Sequence, residues 1–337
     1  MTRTPPSFAA MPESARGYDI LAETLRAVRL TGSVFLDGRF SAPFGILSPR
    51  QYDEGTPLAN LRHISVFHLI AAGECTIELA TGEESKVSAG DILLLPFADS
   101  HTFWNGEYSD VAFAPDLMRP GPLNGMWTIR HGGGGRETRM VCGFIESSEF
   151  LFAPVFRSLP VLLIEKTAEG KVGAVLTSTV RQILALAETA TPGTELMLGR
   201  LMELLFVEVL RRYAERLPRD ASGWFAALND PIVTRAMQLV HREPARRWTV
   251  DTLARAAGTS RSVLAERFNA VMGQAPIEYV TGWRMQLAAD RLRNSDDGMA
   301  AIAAGVGYES EAAFNRAFKR VTGMAPGRWR AGINSAV

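Results

Sequence analysis

Cysteine is scarce: 337 residues hold two, Cys75 and Cys142. Two thiols cannot build a disulfide framework, which excludes a small stapled secreted scaffold and predicts reduced thiols in the cytoplasm. Long apolar runs are absent as well. None approaches the roughly 18–20 residues that cross a bilayer, so no membrane partner is expected. The opening stretch MTRTPPSFAAMPESARGYD contains no continuous apolar segment and does not read as a secretory signal. Overall charge of either sign is also lacking, with 36 basic and 36 acidic residues.

What is present is unevenly distributed. From His241 onward there are 14 Lys/Arg against 9 Asp/Glu, leaving 22 against 27 before it. A basic end on an acidic body predicts that one end alone meets a polyanion. Residues 1–18 are rich in Pro, Ser, Ala and Thr and are expected to form a flexible arm. YDILAETLRAVRL has helical spacing. Residues 32–165 break into short apolar segments separated by Gly, Pro and Asn (GSVFLDGRF, ISVFHLIAAGECTIELA, DILLLP, RMVCGFI), the texture of a β-sandwich or barrel. ECTIELATGEESKVSAGD reads as a hairpin turning at Thr81-Gly82. DLMRPGPLNGMWTIRHGGGGR, residues 116–136, reads as a long flexible loop. Its glycines lack a strand before and a helix after, which excludes a phosphate-binding turn.

Over 171–217 the apolar period becomes helical, with Pro192-Gly193 splitting two amphipathic helices into a hairpin. The second carries Leu196, Leu198, Leu201, Leu204, Leu205, Phe206, Val209 and Leu210. One wall can absorb one stripe and apolar surface is left to spare, so domain core and a homodimer interface built partly on this helix both stay open. RDASGWFAALNDP is read as the hinge between a domain at 19–220 and another at 221–331, with Asp230 capping and Pro231 opening the next helix.

The last hundred residues are the most specific. WTVDTLARAAGTSRSVLAERF gives helix, Gly turn and helix, with Ser260 as cap and Leu253, Ala256, Leu264 and Phe268 as a small core. The device recurs in MAAIAAGVGYESEAAFNRAF. At an offset of 50, Phe268, Gly273, Pro276 and Tyr279 correspond to Phe318, Gly323, Pro326 and Trp329. Two helix-turn-helix units, over 250–271 and 299–321, are therefore expected. Their strings TLARAAGTSRSVLAERF, WRMQLAADRLR and IAAGVGYESEAAFNRAFKRVTGMAPGRWR resemble the AraC-type transcription regulators. LPVLLIE, RLMELLFVEVLRR and GWFAALNDP resemble the branch with a cupin-like effector domain. The resemblance covers roughly residues 20–331. It implies an α+β two-domain chain: an N-terminal cupin-like β-barrel with a helical hairpin, then an all-α double helix-turn-helix domain. It implies double-stranded DNA as partner, RNA polymerase as a second partner if the chain is an activator, and an effector that is a small molecule, a metal or an oxidant. Carried over by position, Ser262, Ala265 and Glu266 face base edges, with Arg261 and Arg267 near phosphates. The second recognition helix presents Glu311, Ala312, Asn315 and Arg316, flanked by Lys319 and Arg320.

GDILLLPFADSHTFWN fits the second cupin motif through Gly90, Pro96, His101 and Asn105. In the first motif Val66 stands where a metal-binding histidine is usual, leaving His68, and Glu74 is loosely placed. The metal set of cupin enzymes is incomplete, which leaves a cupin metalloenzyme with an accessory tail as the lesser alternative. Four uses of this region stay open. His68 and His101 with Cys142 or Cys75 form a set that suits zinc, with His63 a weaker candidate. Cys75 and Cys142 are redox candidates, since a thiolate beside a histidine oxidises readily. Phe67, Phe103, Trp104 and Phe113 offer walls for an organic ligand. Plain core packing is the fourth.

Overall fold

The computed structural model describes residues 19–334 apart from 29, 51–57, 59–60, 62, 108–109, 122–125, 148–152, 167–173, 190 and 219. The arm expected over 1–18 lies outside the described residues. Helix α1 (Ile20–Arg26) starts where the Asp19 carboxylate accepts from the Ala22 N–H at 3.0 Å. Twelve strands follow among the described residues: β1 (Thr31–Ser41), β2 (Phe44–Ser48), β3 (Ile64–Ala72), β4 (Glu74–Leu79), β5 (Glu84–Ser88) and β6 (Ile92–Leu95). Then come β7 (His101–Asn105), β8 (Ala112–Phe113), β9 (Arg119–Pro120), β10 (Trp127–Gly132), β11 (Glu137–Glu146) and β12 (Leu163–Glu165). Short helical turns α2 (Ala114–Leu117) and α3 (Pro154–Arg157) sit between them.

The strands form two sheets, β12-β6-β3-β11-β1-β10-β9 and β5-β4-β7-β2-β8, and not the single closed ring that a barrel implies. Between them lies an apolar core that takes Leu36 and Met140 from one sheet and Ile46, Ile77 and Phe103 from the other. Period-two alternation explains which residues reach it. On β4, Cys75, Ile77 and Leu79 point inward, and the β4–β5 hairpin turns at Gly82, whose φ is +82°. The larger sheet is buried on both faces. On β3, Ile70 joins the inter-sheet core while Phe67 and Leu69 face the helices, so this strand reads as one continuous apolar run. The loop expected over 116–136 is corrected: β9 pairs with β10, and β10 runs parallel to β1. Only Ile129 of β10 is buried, so the strand shows no alternation to read.

Helices α4 (Ala174–Leu186) and α5 (Thr194–Arg216) cover the outer face of the larger sheet. Backbone approaches backbone here: a Cβ on Gly199 would stand 2.6 Å from the Gly32 carbonyl oxygen. At the far end the buried Glu165 carboxylate accepts from Arg212 at 2.7 Å and also from Arg216, tying β12 to α5.

The remaining helices are α6 (Trp224–Ala227), α7 (Pro231–Arg242), α8 (Val250–Ala257), α9 (Arg261–Met272), α10 (Pro276–Asn294), α11 (Met299–Gly305), α12 (Glu311–Thr322) and α13 (Pro326–Asn334). The segment read as a hinge is packed instead. Within it Trp224, Phe225 and Ala227 are 3%, 1% and 0% exposed, and the Gly223 N–H donates to the Val271 carbonyl at 2.7 Å. Helices α6 to α9 and the start of α10 share one continuous core with α1, α4, α5 and the sheet. The Gln286 side chain of α10 reaches back to the Thr24 carbonyl at 3.0 Å. By contrast, α11 to α13 close with the later part of α10 (Met285, Ala288, Ala289 and Leu292) over a separate core around Phe314, Phe318 and Trp329.

Candidate functional site

The first helix-turn-helix pair is fixed by its turn chemistry. Gly258 ends α8 at φ +77°, a left-handed conformation that a side chain resists. Ser260 then caps α9 by accepting from the Val263 N–H at 3.3 Å. Leu253, Leu264 and Phe268 are fully buried between the helices, while Ala256 is only half-buried. In the second pair Gly307 takes φ +84°, and Ser310 caps α12 through the Ala313 N–H at 3.3 Å. Asp230 accepts from the Ile232 and Val233 N–H groups at 3.0 and 2.9 Å, with Pro231 in the first turn of α7.

Of the residues expected to meet DNA, Arg261, Ser262, Glu266, Arg267, Glu311, Ala312, Arg316, Lys319 and Arg320 are exposed. Ala265 and Asn315 are half-buried. Two of the cations are engaged within the chain. Arg261 lies 3.6 Å from Asp251, and Arg267 donates through Nε to the buried Asp230 carboxylate at 3.0 Å and again through Nη2. Arg267 therefore points back toward α7. Arg316, Lys319 and Arg320 make no ion pair among the described residues.

The second constellation lies between the sheets. His68 and Cys142 face each other on β3 and β11, and His101 enters from β7. Cys142 Sγ is 3.0 Å from His68 Nδ1, His68 Nε2 is 3.0 Å from His101 Nε2, and His101 Nδ1 is 2.8 Å from the Asp99 carbonyl oxygen. A carbonyl only accepts, so His101 carries its proton on Nδ1 and accepts at Nε2. His68 must then donate from Nε2, which leaves Nδ1 to accept from the Cys142 thiol. Hydrogen bonds run one way along a neutral chain. Burial explains the neutrality. It drives His68 well below the usual imidazole range, with His101 adding to the effect. It lowers His101 to about 4 against the pull of the Asp99 bond, and it pushes the Cys142 thiol up. A cavity of about 20 Å³, bounded by Phe35, Phe40, Phe103 and Met140, opens beside His68 and Cys142.

A family model described as a cupin matches residues 19–215, and one described as a helix-turn-helix domain matches residues 253–332. The chain belongs to the AraC-type regulators with a cupin-like N-terminal domain. A Streptomyces lividans protein described as an AraC-like transcription regulator is 51% identical over 138 residues, 41% of this chain. The match spans 45% of that protein, so this chain aligns with about half of such a relative. The HTH-type transcriptional regulator MtrA of Neisseria gonorrhoeae is 26% identical over 93% of this chain and 98% of its own. Among solved structures, ToxT of Vibrio cholerae O395 is 11% identical over 90% of this chain and 97% of that one, with a TM-score of 0.36.

Cupin folds commonly hold a metal, and the residues present here do not fit one. Cys142 and His101 approach opposite edges of the His68 ring, so the three donors cannot converge on one ion, whereas zinc needs about four ligands around it. Among the described residues no three His, Cys, Asp or Glu side chains are arranged to hold a metal ion. The expected set of His68, His101, Cys142 and Cys75 is corrected on a second count. Cys75 sits four residues along β4 from Leu79, the partner of His101, which is about 13 Å at strand rise. Its thiol is pushed up to about 12 by burial and by Asp91 and Glu74. His63 is exposed. Glu74 pairs with Arg136 at 3.2 Å and takes no part. Phe103 stacks edge-on against both imidazoles, at ring separations of 4.9 and 5.3 Å. Asp99, which fixes the tautomers through its backbone, escaped the sequence reading, as did the pairing of the capping Asp230 with Arg267. Only three-dimensional proximity reveals these two roles.

Proposed function

We propose that this chain is a cytoplasmic, sequence-specific DNA-binding regulator of transcription, without enzymatic activity, that reads a signal in its two-sheet domain. The observation that supports it best is the repeated unit. The same cap, turn and aromatic core recur 50 residues apart, and each copy presents one exposed helix on a basic segment. Arg316 can donate bidentately to guanine, Asn315 to adenine, and Glu266 can accept from cytosine. Recruitment of RNA polymerase, as an activator, is the mode the family suggests. Self-association through α5 is part of the proposal. Leu196, Met197, Leu204 and Val207 on that helix are 67%, 52%, 45% and 36% exposed, an apolar stripe wide enough for a second copy.

Sensing is assigned to the Cys142–His68–His101 chain, the polar thread through an apolar core. The neighbouring cavity has room for about one water, so the signal that reaches Cys142 unaided is a small neutral molecule such as an oxidant. A larger organic effector has to open the sheets. DNA binding is tested by fluorescence anisotropy of the full chain on duplexes selected from a random pool. Affinity should fall with salt by a log–log slope of roughly −0.9 for each phosphate neutralised. Arg316→Ala should relax specificity at one base pair by about 1–3 kcal/mol. Salt-independent or undetectable binding to every duplex refutes the reading.

A further inference from the structure

The two recognition helices are built on one plan but do not carry the same charge. At the repeat offset, Arg261, Glu266, Asn269 and Ala270 of α9 stand where α12 has Glu311, Arg316, Lys319 and Arg320. Ion pairing widens the contrast. The cations of α9 are already engaged, Arg261 with Asp251 and Arg267 with Asp230, while Glu266 stays exposed and without an ion pair among the described residues. On α12 three exposed cations outnumber the single Glu311, and none of the three has an acidic neighbour within ion-pair distance among the described residues. Anchoring differs in the opposite sense. The first pair belongs to the large core shared with the sheet and hairpin, the second to a core of its own.

We propose that the two units divide the labour on DNA: α12 supplies the phosphate-neutralising charge, and α9 is a base reader held in place by the Arg267–Asp230 clamp. Arg267 is thereby a positioning residue, not a DNA contact. Its guanidinium joins α9 to the capping aspartate of α7, and Asp230 is only 5% exposed at its side chain. Arg267 is still 48% exposed, but its Nε and Nη2 are committed to Asp230, and a phosphate that drew them away would leave a buried carboxylate unpaired. Release of such a charge is strongly unfavourable. Lys319 and Arg320 meet no such competition. Their neutralising contacts release counterions in full, whereas the reader helix gains its share of binding from base edges through Ser262, Ala265 and Glu266.

The inference rests on the DNA-binding reading above, and the test separates the two. Full-length chain is titrated onto one selected duplex across a salt series, in wild-type form and as Arg267→Gln, Asp230→Asn and Lys319→Gln/Arg320→Gln. The double α12 variant should flatten the log–log salt slope by up to roughly 1.8, about 0.9 for each lost phosphate contact. Arg267→Gln should keep the wild-type slope while weakening binding several-fold at every salt concentration. Asp230→Asn should behave like Arg267→Gln, and the two combined should lose little more than either alone. A slope flattened by about 0.9 in Arg267→Gln, or unchanged in the α12 variant, overturns the division of labour. No salt-dependent binding by wild-type protein overturns the DNA-binding reading itself. Thermal unfolding supplies a readout without DNA: Arg267→Gln and Asp230→Asn should lower Tm and the α12 variant should leave it unchanged. Equal Tm for all four proteins overturns the clamp.

Discussion

Acid should unfold this protein earlier than its carboxylates would dictate, because its buried imidazoles are neutral. His101 falls from 6.5 to about 4 and His241 from 6.5 to about 3, both through burial. The lowered value belongs to the folded state, so as pH drops through 6.5 the unfolded chain takes up protons first. Stability is therefore complete above pH 6.5 and is lost as pH falls toward the folded values. Between pH 7 and 5 each ring contributes a loss of about 2 kcal/mol, about 4 kcal/mol for the two, and His68 moves in the same direction. A domain's whole stability is about 5–15 kcal/mol, so this is a large share. Ordinary carboxylates, near 4, have barely begun to protonate in that window. The assay is urea unfolding followed by tryptophan fluorescence at pH 7, 6 and 5. His241→Phe isolates one contribution. Its ring lies parallel to Trp283 at 3.7 Å, a stack phenylalanine keeps, while the 2.6 Å bond to Tyr279 is lost. The variant should be weaker at pH 7 and lose about 2 kcal/mol less on going to pH 5. A wild-type stability flat between pH 7 and 5, or a variant with undiminished acid sensitivity, refutes the assignment of neutral buried rings.

Other consequences can be measured as directly. Gly199→Val would drive a side chain into the Gly32 carbonyl and should destabilise by about 1–3 kcal/mol or more in denaturant titration; an unchanged midpoint would show that α5 can lift from β1 freely. Leu204→Glu, on the exposed stripe of α5, should shift sedimentation toward monomer while thermal unfolding of the monomer stays within about 0.5 kcal/mol of wild type. A wild-type chain that is monomeric at all concentrations contradicts that interface. Cys75 and Cys142, 5% and 3% exposed, should both resist a bulky aromatic disulfide reagent in native protein and both react in denaturant; one fast-reacting thiol in the native state would place a cysteine at the surface. Glu165→Gln leaves Arg212 and Arg216 without their shared carboxylate and should cost about 3–5 kcal/mol, read by the same urea titration.

Much of this architecture is legible in the residue order. Asp230-Pro231, Gly258, Ser260, Gly307 and Ser310 are local signals whose physics needs no distant partner, and the helix ends stand where they point. The alternation of Cys75, Ile77 and Leu79 marks the inward face of β4. Sequence fails where long-range pairing decides. β10 has a single buried residue, Ile129, so nothing periodic distinguishes it from loop. RDASGWFAALNDP looks like a hinge by its Gly, Ser and Asp content, yet Trp224 and Phe225 are core. The candidate site shows the same divide. The juxtaposition of His68, His101 and Cys142 is foreshadowed by residue type, while the direction of their hydrogen bonds is set by one backbone carbonyl. Arg267 reads as a free cation because its partner lies 37 positions away.

The core shared between the two-sheet domain and the first helix-turn-helix pair bears on how such chains exchange parts. A junction placed at residue 230 would leave the pocket for Trp224 and Phe225 on one parent and their packing partners on the other. A working chimera must carry α6 with α7 to α9, together with the α1 and α5 surfaces against which they are moulded. The second pair, folded around Phe314, Phe318 and Trp329, has no such debt to the front of the chain. It can be exchanged only with the α10 face at Met285, Ala288, Ala289 and Leu292 that completes its core, so the charge-supplying unit can change while the base-reading helix stays fused to the signal.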